Sequence, residues 1–216
     1  MKTTLTIALV IIACCMTASL AIADCLTYES SDVITFPGDK RVKNLTMTPS
    51  TGTEVTVSPV TSSDADSTSG HFHVDSFFDV FVNSTVIGGG IFTVDSFFDI
   101  TYEIDFGDGT FIPGTATGNT VVKTEPREPG TPVRSWDTEI LSMSLSGSVG
   151  GSVVEIRETP ASTSSGRTDV TALPGGNFRI DSFFDVFTEL SIDGGAWQPG
   201  SSSRPDGSVR LGLIHD

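Results

Sequence analysis

The stretch His71-Phe-His-Val-Asp-Ser-Phe-Phe-Asp-Val-Phe-Val82 alternates along its length between two kinds of side chain. Its even positions are apolar apart from Ser76, and its odd positions carry histidine, aspartate and phenylalanine. A period of two places successive side chains on opposite faces of an extended chain. The stretch is therefore predicted to form a β-strand with one buried face.

The centre of this stretch, Asp-Ser-Phe-Phe-Asp, occurs three times, which indicates an internal duplication. The second and third copies are 86 residues apart (181 − 95), and further residues match at the same offset. Repeated units bury or display the same surface several times, which favours a structural role over catalysis. The copies are Asp75–Asp79, Asp95–Asp99 and Asp181–Asp185, and the further matches are Gly109 with Gly195, Phe111 with Trp197, and Pro113-Gly114 with Pro199-Gly200.

The composition favours strands and turns, because glycine, serine, threonine and valine dominate and long runs of helix-forming residues are absent. Residues 124–134 carry three prolines, and proline cannot donate a hydrogen bond to a sheet, so this segment is predicted to be a linker. We therefore expect an all-β fold of two antiparallel β-sandwich-like modules, built from duplicated long-strand hairpins, at residues 24–123 and 135–216.

Gly88-Gly89-Gly90 separates the first two copies of the motif and is predicted to be the loop of an antiparallel hairpin. In that register Phe78 would face Ile100, and Val80 would face Phe98. The apolar faces of the two strands would then pair along their whole length, which supports this register.

The opposite face of this hairpin would be acidic, since the same register places Asp75 across from Glu103 and Asp79 across from Asp99. Like charges directly opposite each other destabilise a sheet, so the pattern needs a counter-ion or access to water. Because Ca²⁺ prefers several carboxylate oxygens, these four residues are the candidate calcium ligands. The alternative is that they project into water and oppose aggregation of an apolar sheet.

Aromatic side chains at odd positions of the motif are predicted to point away from the core and to contact a partner. Trp197 and Phe111 follow Gly-rich turns. They would serve as stacking platforms in the alternative in which the chain binds carbohydrate or another polymer. The predicted outward phenylalanines are Phe77, Phe81, Phe97, Phe183 and Phe187.

Residues 1–23 are predicted to be an export signal, with Lys2, an apolar stretch and a small-x-small cleavage site that ends at Ala23. We therefore expect a secreted protein, with a lipoprotein anchored at Cys14 as the alternative. Cys25 is the single cysteine after the signal, so it is a candidate for an intermolecular disulfide. No later apolar segment has the length of a transmembrane helix.

The formal net charge of −15 argues against nucleic acid as a partner, because phosphates need a basic face. Neither a nucleophile elbow nor a phosphate or dinucleotide loop is present, so no catalytic residue is predicted. The paired carboxylates leave a glycoside-type hydrolase as a less favoured alternative. His71 and His73 lack enough further ligands for a transition-metal site. Asn44 and Asn83 fit glycosylation acceptor sites.

The second half of the chain resembles segments of uncharacterised secreted proteins of environmental bacteria. The residues that carry the resemblance lie in 137–147, 156–160 and 175–195, and the last range includes the third motif copy within Asp-Ser-Phe-Phe-Asp-Val-Phe-Thr-Glu-Leu-Ser-Ile-Asp-Gly-Gly. The resemblance implies an exported surface or matrix protein and supplies no catalytic residues.

These observations together predict a non-catalytic exported protein with a structural or interaction role at the cell surface or in the extracellular matrix, with calcium as a candidate stabilising ion. Its expected partners are further copies of itself, other surface proteins or polysaccharide. An extracellular carbohydrate- or polymer-binding module is the alternative.

Overall fold

The computed structural model describes residues 26–50, 55–60, 72–74, 77, 91–127, 133–175 and 178–213. This part of the chain forms strands and turns without helix, so the predicted all-β class is confirmed. The strands are β1 (Tyr28–Ser30), β2 (Ile34–Phe36), β3 (Lys40–Pro49), β4 (Val55–Pro59), β5 (Phe72–Val74), β6 (Phe92–Asp105), β7 (Ile112–Pro126), β8 (Val133–Val149), β9 (Ser152–Glu158), β10 (Ser164–Ala172), β11 (Phe178–Val186), β12 (Thr188–Ile192), β13 (Gln198–Pro199) and β14 (Val209–Leu213).

The strands close into an antiparallel barrel with eight positions around its wall. β6, β7 and β8 each fill one position, and the other five are each filled by two consecutive segments: β1 with β2, β3 with β4, β9 with β10, β11 with β12, and β13 with β14. Apart from β5, which pairs with the other edge of β4, neighbours around the wall are also neighbours along the chain, which is the order of an up-and-down barrel. The pairs Tyr28↔Leu213 and Thr35↔Ser201 close the ring.

The prediction of two sandwich modules is wrong, because strands of both halves pair with each other around one core. β7 pairs with β8 from Thr115↔Ser148 to Pro126↔Trp136, across the predicted boundary. The predicted linker overlaps the end of β7 and the start of β8, and residues 128–132 lie outside the described residues.

The predicted hairpin between the first two motif copies is also wrong, because both edges of β6 already have partners. β3 and β4 pair with one edge, and β7 pairs with the other. Ile100 therefore lies between Met47 and Ala116, and Phe98 lies between Pro49 and Gly118. β5 pairs with β4 instead, and the triple-glycine loop lies outside the described residues.

The predicted alternation of buried and outward side chains is confirmed in the second and third motif copies. Every even position of β6 is buried, from Phe92 to Ile104. In β11 the buried positions are Ile180, Ser182, Phe184 and Val186. Phe178, the even-numbered residue before Ile180, is instead 37% exposed, because it lies at the start of the strand.

Two bulges let β3 and β8 change partners along the barrel wall. The pairing of β3 with β6 shifts between Lys43 and Thr46, where the other neighbour of β3 changes from β2 to β1. Asn44 has φ 51 there, a left-handed conformation that asparagine tolerates. The pairing of β8 shifts at Leu141, where its neighbour changes from β10 to β9.

Apolar side chains fill the barrel interior in the half that carries the turns at 37–39, 106–111, 150–151 and 193–197, which we call the turn end. A cavity of about 20 Å³ remains there, close to the volume of a single water molecule. The side chains that line it are Ile34, Phe36, Val42, Leu45, Met47, Ile100, Met143, Leu145, Ile156, Val186, Thr188, Val209 and Leu211.

Candidate functional site

Two clusters of an acid, a cation and an aromatic ring occupy equivalent places in the barrel. Glu103 on β6 lies across from Lys43 on β3, and Glu189 on β12 lies across from Arg157 on β9. The two glutamates are 86 residues apart (189 − 103), the offset of the sequence repeat. The repeated segments therefore take up the same register in the two halves of one barrel.

The first cluster holds Lys43 between a carboxylate and a ring. Lys43 Nζ is 3.0 Å from Glu103 Oε2 and 4.1 Å from the centroid of the Phe111 ring. The side-chain amide of Asn44 donates a hydrogen bond of 3.1 Å to Glu103 Oε1. Hydrogen bonds from Lys43 and Asn44 lower the pKa of Glu103.

The second cluster repeats this arrangement with other residue types. Arg157 Nη2 is 2.6 Å from Glu189 Oε2, and the guanidinium lies 4.1 Å from the centroid of the Trp197 ring. The Thr159 hydroxyl donates a hydrogen bond of 3.0 Å to Glu189 Oε1. In both clusters a cation occupies one face of the aromatic ring, so that face is not free to stack on a sugar.

Asp105 holds the turn between β6 and β7. Its carboxylate accepts hydrogen bonds from the backbone N–H groups of Gly107 at 2.8 Å and Gly109 at 3.0 Å, which confirms the predicted Gly-rich turn. Arg41 Nη2 donates to the same carboxylate at 2.6 Å. These contacts, that of Arg41 above all, lower the pKa of Asp105 to about 2.

In the third motif copy the second aspartate is bound by two arginines. Arg210 donates two hydrogen bonds to the Asp185 carboxylate, at 2.8 and 2.6 Å, and this contact raises the pKa of Arg210. Arg204 Nη2 lies 3.1 Å from the same carboxylate. The guanidinium of Arg210 also lies 4.2 Å from the centroid of the Phe183 ring, which is half-buried.

The predicted acidic pairs on β6 are wrong, because β6 has other neighbours. Asp99 lies between Thr48 and Thr117, and Glu103 lies between Lys43 and Pro113. Asp99 and Glu103 are four residues apart on one strand, roughly 13 Å, which is too far for one ion.

The two remaining candidate calcium ligands, Asp75 and Asp79, lie outside the described residues. Within the described ranges no group of three or more histidine, cysteine, aspartate or glutamate side chains is arranged to hold a metal ion. Calcium stays a prediction.

The predicted contact phenylalanines separate into different environments. Phe77 is fully buried, and its ring packs edge-on against Phe98 at 5.5 Å between centroids, so its predicted outward orientation is wrong. Phe97 is 45% exposed, as predicted. Phe187 and Trp197 are half-buried, and Phe81 lies outside the described residues.

A face lined by hydroxyl groups covers the outside of β3, β6, β7 and β8, and sequence reasoning missed it. Its signal was the alternation of serine along β8 and of threonine along β3 and β7. Most of these side chains are exposed, and the rest are half-buried. We call this the hydroxyl face: Thr46, Thr48, Thr101, Thr115, Thr117, Ser142, Ser144, Ser146 and Ser148.

The hydroxyl face ends in a depression of about 450 Å³ beside the first cluster. Gly114 lies beside this depression, and a Cβ at that position would collide with the side chains of Val149 and Tyr102. Polar groups able to donate or accept hydrogen bonds surround it. Its lining includes Asn44, Thr101, Glu103, Pro113, Thr115 and Ser148.

No protein family, curated protein or solved structure matches the chain. In the described part of the chain, no helix is long and apolar enough to cross a membrane.

Proposed function

We propose that this chain is a non-catalytic exported protein of the cell surface or extracellular matrix, which binds other molecules on the outside of its barrel. The hydroxyl face is the contact surface in this proposal. The observation that carries it is the packing of the interior in the described half of the barrel. The cavity there, of about 20 Å³, is far below the roughly 300–1,000 Å³ of a small-molecule pocket, which supports recognition on the outer wall.

The state of four carboxylates supports a binding role over hydrolysis. Glu103, Glu189, Asp105 and Asp185 each form an ion pair with lysine or arginine. A glycoside-type hydrolase needs one carboxyl group that gives up a proton and a second that attacks or activates water. Contacts with cations lower the pKa of Glu103 and of Asp105, which makes these two carboxyl groups poor proton donors near neutral pH.

Export can be tested on the full chain through its mature N-terminus. The signal predicted at residues 1–23 gives a secreted protein that begins at Asp24. Mass spectrometry of the protein in the medium measures this directly. A chain that keeps residues 1–23 inside the cell, or one acylated at Cys14, would contradict release by this route.

Binding at the hydroxyl face can be tested by placing large cations on it. Thr117 and Ser146 are directly opposite each other on β7 and β8, so T117R and S146R together would obstruct the centre of the face. We expect the double variant to lose the surface attachment or complex that the native protein forms in the cells that produce it. Cell fractionation and size-exclusion chromatography of the medium measure both.

S165R is the matched control, because Ser165 is an exposed strand serine on β10, outside the hydroxyl face. It should behave as the native protein does. A native protein that is found only as a free monomer would overturn the proposal. Polysaccharide binding that W197A abolishes and T117R/S146R leaves intact would favour the carbohydrate-binding alternative.

A further inference from the structure

An apolar patch lies on the outer surface of β6, β7 and β8, beside the hydroxyl face. Phe97 is 45% exposed and Leu141 is 46% exposed. Val121 lies between them in register, since it pairs with Asp95 on β6 and Ser142 on β8. Adjacent strands are about 4.8 Å apart, so the three apolar side chains form one diagonal row. We call this row the outer patch (Phe97, Val121 and Leu141).

The backbone explains why these side chains are exposed. Phe97 occupies an odd, outward position of β6, and its neighbours across β7 and β8 are the short side chains of Asn119 and Ser144. Leu141 is the extra residue of the β8 bulge, and it points outward while Ile140 and Met143 are buried. The outer patch therefore follows from strand register and from the bulge that the barrel needs.

Carboxylates outnumber cations around the outer patch. Lys123 is shared by Glu125 at 3.5 Å and Glu139 at 3.7 Å, and Arg127 lies 3.3 Å from Asp137. Arg167, across from Asp137, lies 3.0 Å from Asp169. These three cations are thus already paired, and the surroundings of the patch keep a net negative charge. The carboxylates are Asp95, Asp99, Glu125, Asp137 and Glu139.

We propose that the outer patch is the docking surface for a basic segment of a partner protein, with an apolar residue flanked by lysine or arginine. The inference rests on the proposed function and names the partner chemistry. The apolar row would supply affinity through burial. The acidic surroundings would attract and orient the basic flanks.

The charge of the chain decides among the possible occupants. A second copy carries the same formal net charge of −15, which repels it from an acidic surface. Nucleic acids and anionic lipid headgroups are repelled for the same reason. A positively charged polypeptide is the occupant that both the apolar and the acidic parts of the surface attract.

The test uses the full exported chain and two synthetic peptides. Both peptides have leucine at the same positions, and the remaining polar positions are lysine in one peptide and glutamate in the other. We expect the lysine peptide to bind and the glutamate peptide not to bind, in fluorescence anisotropy titrations at low salt. The F97S/L141S double variant should bind the lysine peptide about tenfold more weakly. Binding should also weaken at about 0.5 M salt, where screening is strong.

V153S is the control, because Val153 is 47% exposed on β9, away from the patch. It should bind the lysine peptide as the native chain does. The inference is overturned if V153S and F97S/L141S weaken binding of the lysine peptide equally, or if neither weakens it. The peptide would then be attracted by the overall negative charge of the protein and not by the outer patch. A concentration-dependent dimer that F97S/L141S abolishes in sedimentation also overturns it, in favour of self-association.

Failure here can be distinguished from failure of the proposed function. If F97S/L141S has no specific effect but T117R/S146R still releases the protein from its native attachment, only the partner assignment is wrong. If the native protein forms no attachment or complex at all, the proposed function is wrong as well.

Discussion

Ser182, the central serine of the third motif copy, lies inside the barrel in a chain of buried hydroxyl groups. Its Oγ is 2.9 Å from both the Tyr28 hydroxyl and the Thr168 hydroxyl. Burial raises the pKa of Tyr28, so this side chain stays neutral and depends on such partners. Ser96, at the same place in the second copy, is buried with no hydrogen-bond partner for its hydroxyl among the described residues.

Replacing the two serines with alanine should give unequal results. S182A leaves the Tyr28 hydroxyl without one of its contacts in a buried site, and we expect a loss of about 1–3 kcal/mol in the free energy of unfolding. S96A removes a hydroxyl that has no partner, and it should be close to neutral or stabilising. Denaturant titrations of both variants measure the difference. Equal losses would contradict the hydrogen-bonding role of Ser182.

Phe77 and Phe97 hold the same place in two motif copies, yet one is buried and the other is exposed. F77A should cost about 3–5 kcal/mol, because it empties a buried site against Phe98. F97A should change the free energy of unfolding by no more than about 0.5 kcal/mol. Thermal melts of the pair provide the measurement, and a mild effect of F77A would argue against its burial.

Asp105 should make the protein sensitive to strong acid. Its pKa in the folded state is about 2, below the ordinary value of an aspartate, so the ionised form stabilises the fold. That stabilisation is complete above the ordinary pKa and is lost as the pH falls towards about 2. D105N should be less stable near neutral pH, with the difference from the native protein shrinking in acid. Melting midpoints between neutral and acidic pH, with exposed D137N as control, test this.

At the scale of strands, two glycines allow β7 and β8 to approach closely. A Cβ added at Gly118 would collide with the backbone carbonyl of Ser144, and one at Gly147 would collide with that of Thr115. At Gly212 on β14, by contrast, an added Cβ would meet no atom within 4 Å. The barrel therefore needs glycine at these two points because there is no room for a Cβ atom. Neither glycine has a positive φ.

G118A should destabilise the protein by about 1–3 kcal/mol, because the two backbones must separate to admit a methyl group. G212A is the matched control and should be tolerated, since its new methyl group meets nothing within 4 Å. Chemical denaturation compares the two. Tolerance of G118A would mean that β7 and β8 can move apart freely.

Some properties of the strands could be predicted from the sequence, and others could not. The alternation in β6 and β11 predicts which face of each strand is buried, because only one of the two faces is apolar. The neighbour of β6 could not be predicted, since several strands have similar alternation and each can pair with it. The bulges at Asn44 and Leu141 break the alternation that a pattern reading relies on. To predict the clusters at Glu103 and Glu189, one would have to know how β3 aligns with β6 and how β9 aligns with β12. No local sequence pattern contains that information.

At the scale of the whole molecule, both halves of the chain contribute to one wall and one core. Thermal and chemical unfolding should therefore show a single transition, with coincident curves from far-ultraviolet circular dichroism and from tryptophan fluorescence. Trp136 and Trp197 report on the second half, whereas circular dichroism reports on all strands. Two separate transitions would instead support the two independent modules expected from the sequence repeat.

The last seam of the barrel joins the first strands to the last ones, through Tyr28↔Leu213 and Thr35↔Ser201. While the chain is being synthesised, seven positions of the wall can assemble in order as each strand emerges. The outer edges of β1–β2 and β11–β12 then remain unpaired until residues 198–213 arrive. Unpaired edges recruit foreign strands, so this interval is when the nascent protein is most exposed to aggregation and proteolysis.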